Sequence, residues 1–156
     1  MTEKQEKIKP TIEEIAAEYL GGEALENFLD FAAWLRANKM TPTFGSKSKT
    51  GISYTTRVCY VKLFHDAWYI WPAGKQGVYA NDFLACEELK EIVCASLAKC
   101  TGCGHQCNSG AGFTKTVCGK EFEHICGCCP VRFYIPDAET LKIIKKTIEK
   151  RNNKCT

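Results

Sequence analysis

Seven of the eleven cysteines fall between Cys100 and Cys129, in the stretch CTGCGHQCNSGAGFTKTVCGKEFEHICGCC, together with His105 and His124. The rest of this stretch is mostly small, polar or glycine, too little apolar surface to close a core of its own. One Zn²⁺ held by four thiolates supplies folding free energy directly, with apparent values of roughly 10–16 kcal/mol in finger peptides. Cys100-x2-Cys103 is the spacing by which a tight knuckle aims two sulfurs at one tetrahedral ion, and Cys107 follows in the same glycine-containing turn. The run FTKTVCGKEFEHI predicts a hairpin bent at Cys118-Gly119-Lys120, whose return strand brings Cys126 back beside the knuckle. The expected ligands are therefore Cys100, Cys103, Cys107 and Cys126. A bend at Cys118 would carry that thiol away and ranks it below Cys126, while Cys118, Cys128, Cys129, His105 and His124 stay open as replacements for one ligand.

Four thiolates leave no open coordination position, so the expected site is structural and does not activate water. Its net charge of about −2 calls for shielding, for which backbone N–H groups of the turn and Lys115 or Lys120 are candidates. An iron–sulfur cluster is the main alternative cofactor, since Cys129-Pro130 resembles the end of a ferredoxin cluster run; the second gap here is three residues instead of two. Thiol redox chemistry at Cys126, Cys128 and Cys129 is another, although CGCC is not the x-x-spaced dithiol of thioredoxin-like proteins. Cys59, Cys86, Cys94 and Cys155 read as ordinary buried or free thiols. There is no G-x-S-x-G or H-E-x-x-H, and the three histidines pair with no evident nucleophile, which argues against an enzyme.

The elements that must position these cysteines are visible in outline. Thr11 opens a helix, because TIEE supplies a capping box with Glu14, and Gly21-Gly22 stops it. Leu25, Phe28, Leu29, Ala32 and Leu35 recur at helical spacing in a second helix. Met40 to Thr50 reads as a loop. GISYTTRVCYVKLF and AWYIW read as consecutive antiparallel strands turning at His65-Asp66, with an irregularity near Thr56 and Arg57 and a stop at Pro72. Tyr60, Trp68, Tyr69 and Trp71 are read as sheet packing in preference to a ligand cavity. A helix is expected from about Cys86 to Ala98, buried through Leu89, Ile92, Val93 and Leu97. VRFYIP alternates as a strand, and Asp137 caps a last helix carrying Leu141, Ile144 and Ile148. PAGKQG lacks the spacing of a phosphate-binding loop.

At 156 residues the chain is the size of one domain, expected to span 1–156 with residues 100–129 as a metal-binding segment inside it. The expected class is α+β: an antiparallel sheet packed by N- and C-terminal helices, with an inserted cysteine-rich zinc knuckle. Hydrophobic residues make up 45% and no apolar run reaches the length of a membrane span. The charged opening MTEKQEKIKP carries no secretory pattern, so a cytoplasmic location with reduced thiols is expected. A net charge of +3 with interspersed signs argues against a nucleic-acid partner.

The order helix, helix, sheet, helix, closing in VRFYIPDAETLKIIKKTIEKR, resembles small uncharacterised bacterial domains akin to the YdhG-like group. The likeness covers Lys9 to Gly22, Thr50 to Trp71 and Val131 to Arg151. It implies N-terminal helices and a C-terminal helix packed on a curved antiparallel sheet, and it supplies no catalytic signature; the cysteine segment departs from that group's pattern. The functional expectation is a small intracellular zinc-stabilised binding domain for a small molecule or protein. The alternative is an iron–sulfur or thiol redox protein using the cysteine segment.

Overall fold

A computed structural model describes residues 10–49, 51–56, 58–72, 86–99, 112–117, 119–126 and 131–154, with side chains as far as residue 150. Helix α1 (Ile12–Tyr19) starts where the sequence says it should. Thr11 is its N-cap, with Glu14 N–H donating to the Thr11 hydroxyl at 3.3 Å and Thr11 N–H donating to the Glu14 carboxylate at 2.7 Å. Gly21 caps the following helix α2 (Gly22–Ala37), which buries Phe28, Phe31, Ala32 and Leu35. The two are clamped by a bidentate pair in which Arg36 donates to Glu13 at 2.6 and 3.0 Å.

Five antiparallel strands follow in the order β1-β2-β3-β4-β7: β1 (Thr43–Lys47), β2 (Ile52–Thr55), β3 (Cys59–Phe64), β4 (Ala67–Pro72) and β7 (Phe133–Tyr134). Strands β5 (Phe113–Val117) and β6 (Lys120–Ile125) form a separate hairpin. Between β4 and β5 lie a 3₁₀ turn (Glu87–Leu89) and helix α3 (Lys90–Ala95), and the last helix is α4 (Ala138–Lys154). The α+β class and the antiparallel sheet with terminal helices are as expected. No helix among the described residues is long and apolar enough to cross a membrane.

Three expectations about elements need correction. The 40–50 region is not all loop, because β1 pairs with β2 there; every β1 residue is exposed, so the strand carries no hydrophobic alternation to announce it. The run from Gly51 to Phe64, read as one strand with an irregularity near Thr56 and Arg57, does break there, but into two separate strands, turned where the Thr56 hydroxyl accepts from the N–H groups of Val58 and Cys59 at 3.2 and 2.9 Å. The helix expected to reach Ala98 ends at Ala95, with Ser96 N–H bonded to Val93 C=O at 3.0 Å in a tightened last turn.

Strand alternation sorts the sheet's aromatics onto two faces. Cys59, Val61 and Leu63 sit opposite Pro72, Ile70 and Trp68 on the face covered by helices, and Tyr60 and Lys62 sit opposite Trp71 and Tyr69 on the other. Trp68 is fully buried; its ring meets Phe28 edge-on at 5.1 Å and Phe31 at 6.1 Å. Helix α4 buries Leu141, Ile144 and Ile148 and is tied to α2 by Trp34 Nε1 donating to Glu149 at 3.2 Å and by the Lys145–Asp30 ion pair.

Truncating Trp68 to Ala should therefore destabilise the fold by about 3–5 kcal/mol in urea denaturation, since it empties the largest buried site. Asp137 gives a pH test. Hydrogen bonds from Thr140, first from its side chain and then from its backbone N–H at 2.8 Å, hold the Asp137 carboxyl below its ordinary range. A lowered folded-state pKa means the cap's contribution is complete above the ordinary aspartate pKa and disappears as pH falls through the folded value. Asp137→Ala should cost about 1 kcal/mol at neutral pH, and the difference from wild type should vanish in acid.

Candidate metal centre

Ser96 closes the helix as its C-cap, and beyond it the short segment from Leu97 to Lys99 finds two antiparallel partners along one edge. Lys99 bridges to Ile125, with Cys126 N–H donating to Ala98 C=O at 2.8 Å. Leu97 bridges to Val131, with Arg132 N–H donating to Ser96 C=O at 3.1 Å. Cys126 and Val131 thus lie against the consecutive residues Ala98 and Leu97, although four residues separate them in sequence. The return from β6 into β7 is held on either side of residues 127–130, which lie outside the described residues.

Ile125 is also paired on its other side with Phe113, the first residue of β5. Phe113, Ile125 and Lys99 therefore form one row across three chain segments, with the outer two about 10 Å apart at ordinary strand spacing. The chain enters the 100–111 stretch from one end of this row and returns from it to the other. At the return, Gly112 has φ +67° and packs so tightly on β6 that a Cβ there would lie 2.5 Å from the His124 carbonyl carbon. β6 accommodates this with an extra residue relative to β5, at which His124 adopts φ +62°.

The hairpin turns between Val117 and Lys120, where Gly119 has φ +76°, as the sequence predicted. That tip is four strand steps, about 14 Å, from the Phe113–Ile125–Lys99 row. Lys120, one of the two lysines named for shielding, stands at that tip, at the far end of β6 from Ile125. Lys99, unremarked in the sequence, stands in the row itself.

Of the expected ligands Cys126 is described and is 3% exposed. Cys100, Cys103 and Cys107 lie outside the described residues, as do Cys118, Cys128, Cys129 and His105 among the alternatives. His124 is described; its side chain is exposed, with Nε2 4.0 Å from Glu123. Among the described residues no three His, Cys, Asp or Glu side chains gather in a way that holds a metal. The remaining described cysteines behave as ordinary thiols. Cys59 is fully buried beside the Thr56 hydroxyl, and burial pushes its thiol up to about 12, so it is not a nucleophile. Cys86 lies 3.8 Å from the Thr147 hydroxyl, and Cys94 packs against the core. Cys155 is outside the described residues. No family model, curated protein or solved structure matches the chain.

The tight approach of Gly112 gives a direct check on this arrangement. Gly112→Ala should lower stability by more than the roughly 1–2 kcal/mol of a left-handed backbone alone, because His124 backbone must also move. Amide exchange should quicken at Phe113 and Ile125 before it does at Val61 and Ile70.

Proposed function

We propose that the chain is a small intracellular binding domain whose hairpin is fastened by one structural Zn²⁺ held by Cys100, Cys103, Cys107 and Cys126. The observation that carries this reading is the Phe113–Ile125–Lys99 row. Lys99 is the residue before Cys100, and its bridge partner Ile125 is the residue before Cys126, so two ligands far apart in sequence have neighbours in direct contact. Both ends of the stretch carrying Cys103 and Cys107 depart from that same row. The thirteen residues between Lys99 and Phe113, points about 10 Å apart, are ample chain to fold back over one ion. Cys118 lies outside the described residues; the strand residues flanking the turn that contains it, Val117 and Lys120, pair with each other away from Ile125, and Cys118 is left out of the ligand set.

When bound, the ion supplies folding free energy and a fixed geometry; with four thiolates it leaves no place for substrate or water. The protein's own residues provide the rest: Ile125 and Val131, 2% and 0% exposed, anchor the strand in apolar surroundings, and the backbone bonds at Ala98 and Ser96 fix its register. The reducing environment of the cytoplasm keeps the thiolates available, and recognition of a ligand is assigned to the folded surface outside the metal site.

Elemental analysis of protein prepared without chelator should give about one zinc per chain for the wild type and for Cys155→Ser. Cys103→Ser and Cys126→Ser should bind zinc at least tenfold more weakly, with faster amide exchange at Lys99 and Ile125. Equal zinc content in all four proteins would refute the assignment. Brown protein carrying iron and labile sulfide would instead select the cluster alternative.

A further inference from the structure

The outer face of the five-stranded sheet is built differently from the face beneath the helices. Strand pairing sets its residues in two adjacent rows, Lys62, Tyr69 and Tyr134 in one and Tyr60 and Trp71 in the other. The β1 and β2 residues that extend these rows are serines and threonines, and Phe64 is the next outward residue of β3 after Lys62. β3 therefore presents aromatic, cation, aromatic in alternation. The Val, Ile and Leu residues of β2, β3 and β4 all turn to the buried face, so the apolar content of the outer one is aromatic apart from Ala67. Among the described residues no strand position on this face carries a carboxylate.

Two of these rings stay open to solvent. Arg132 lies over Tyr69 and Trp71, 5.8 Å from each centroid, whereas Tyr60 and Tyr134 are 36% and 58% exposed. Each open ring is braced by a covered one, Tyr60 by Trp71 at 4.9 Å and Tyr134 by Tyr69 at 5.0 Å. At ordinary strand spacing the two stand about 12 Å apart on one rigid sheet. Lys62 has its Nζ 5.0 Å from the Phe64 centroid and enters no ion pair among the described residues. A π-face is the complement of an open ring, every nucleobase has one, and an ammonium group pairs with the phosphate between bases. A duplex hides those faces in its own stack, a neutral sugar has no charge for Lys62, and an aliphatic peptide surface meets no aliphatic counterpart here. We propose that this face binds single-stranded nucleic acid with little sequence preference, bases stacking on Tyr60 and Tyr134 and a phosphate pairing with Lys62. The proposal rests on the binding-domain reading and names that domain's partner class. It departs from the expectation drawn from net charge, because +3 is a sum over the whole chain and says nothing of one face.

Fluorescence anisotropy of a labelled oligothymidylate of about 16 nucleotides, titrated with the zinc-loaded full chain at low salt, tests the proposal. Saturable binding is expected, at least tenfold tighter than that of a duplex of equal length. Tyr60→Ala and Tyr134→Ala should each weaken it about tenfold, as loss of one stacking contact does, while Tyr60→Phe, which keeps the ring, should bind like wild type. Lys62→Gln should reduce the slope of log affinity against log salt by about 0.7. Phe44→Ala removes an exposed ring from the other side of the sheet, where Phe44 packs on Tyr54, and should change nothing. No saturable binding of the single strand, equal binding of the duplex, undiminished binding in either tyrosine-to-alanine variant, or an unaltered salt slope in Lys62→Gln would overturn the proposal. Tighter binding of a neutral oligosaccharide or of phosphatidylcholine vesicles would overturn it as well. Zinc content measured on the same samples keeps the two readings apart: zinc retained without single-strand binding removes only this one, and single-strand binding by zinc-free protein removes only the metal assignment.

Discussion

The hairpin of β5 and β6 is joined to the main sheet through one short backbone ladder, and the placement of the candidate centre depends on it. Ser96 and Ala98 present their carbonyls to the same edge and receive Arg132 and Cys126, so one extended segment grips both sides of the 127–130 interruption. Two backbone hydrogen bonds contribute only about 1 kcal/mol each net. Burial adds to them, since Val93, Ile125 and Val131 are almost inaccessible to water. Even so, a junction of this length is slight beside the six-residue pairing of β3 with β4. The tetrathiolate ion proposed above would be stronger by an order of magnitude than either bond, and would reinforce the junction where the chain leaves and re-enters it.

Much of this architecture is legible in the residues. The capping box at Thr11, the helical stripe through Phe28 and Leu35, the His65-Asp66 turn and the Asp137 cap are local signals, and each fixes an element without help from elsewhere. The turn after Val117 is likewise encoded at Gly119, which is why the return of the strand that brings Cys126 against Ala98 is readable. Illegible elements have one physical cause in common: tertiary contacts that override the local pattern. In SLAK, Leu97 continues the spacing set by Val93, so the stretch looks helical, yet it is drawn into a strand by partners from 125 and 131 that periodicity cannot reveal. TFGSK, on the exposed edge, has no buried side chain to mark it, and its pairing with β2 is wholly a backbone matter.

The aromatic cluster from Tyr60 to Trp71 shows a related limit. Sequence reading treats its members alike, whereas the pleat divides them: Trp68 becomes the centre of the core, while Tyr69 and Trp71 become the support on which Arg132 is stacked. The cation comes from a strand more than sixty positions later. Neither composition nor net charge discloses such a pairing, because +3 spread over the chain says nothing of which cation meets which ring.

Electrostatics bears on the proposed centre as well. Four thiolates on one Zn²⁺ would carry about −2, and the Cys126 N–H, spent on Ala98 C=O, would not shield them. Lys120 stands at the hairpin tip, at the far end of β6 from Ile125, whereas Lys99 bridges to Ile125 and is the residue before the first of the proposed ligands. On the zinc reading, Lys99 is therefore the described lysine whose charge is placed to offset the thiolates.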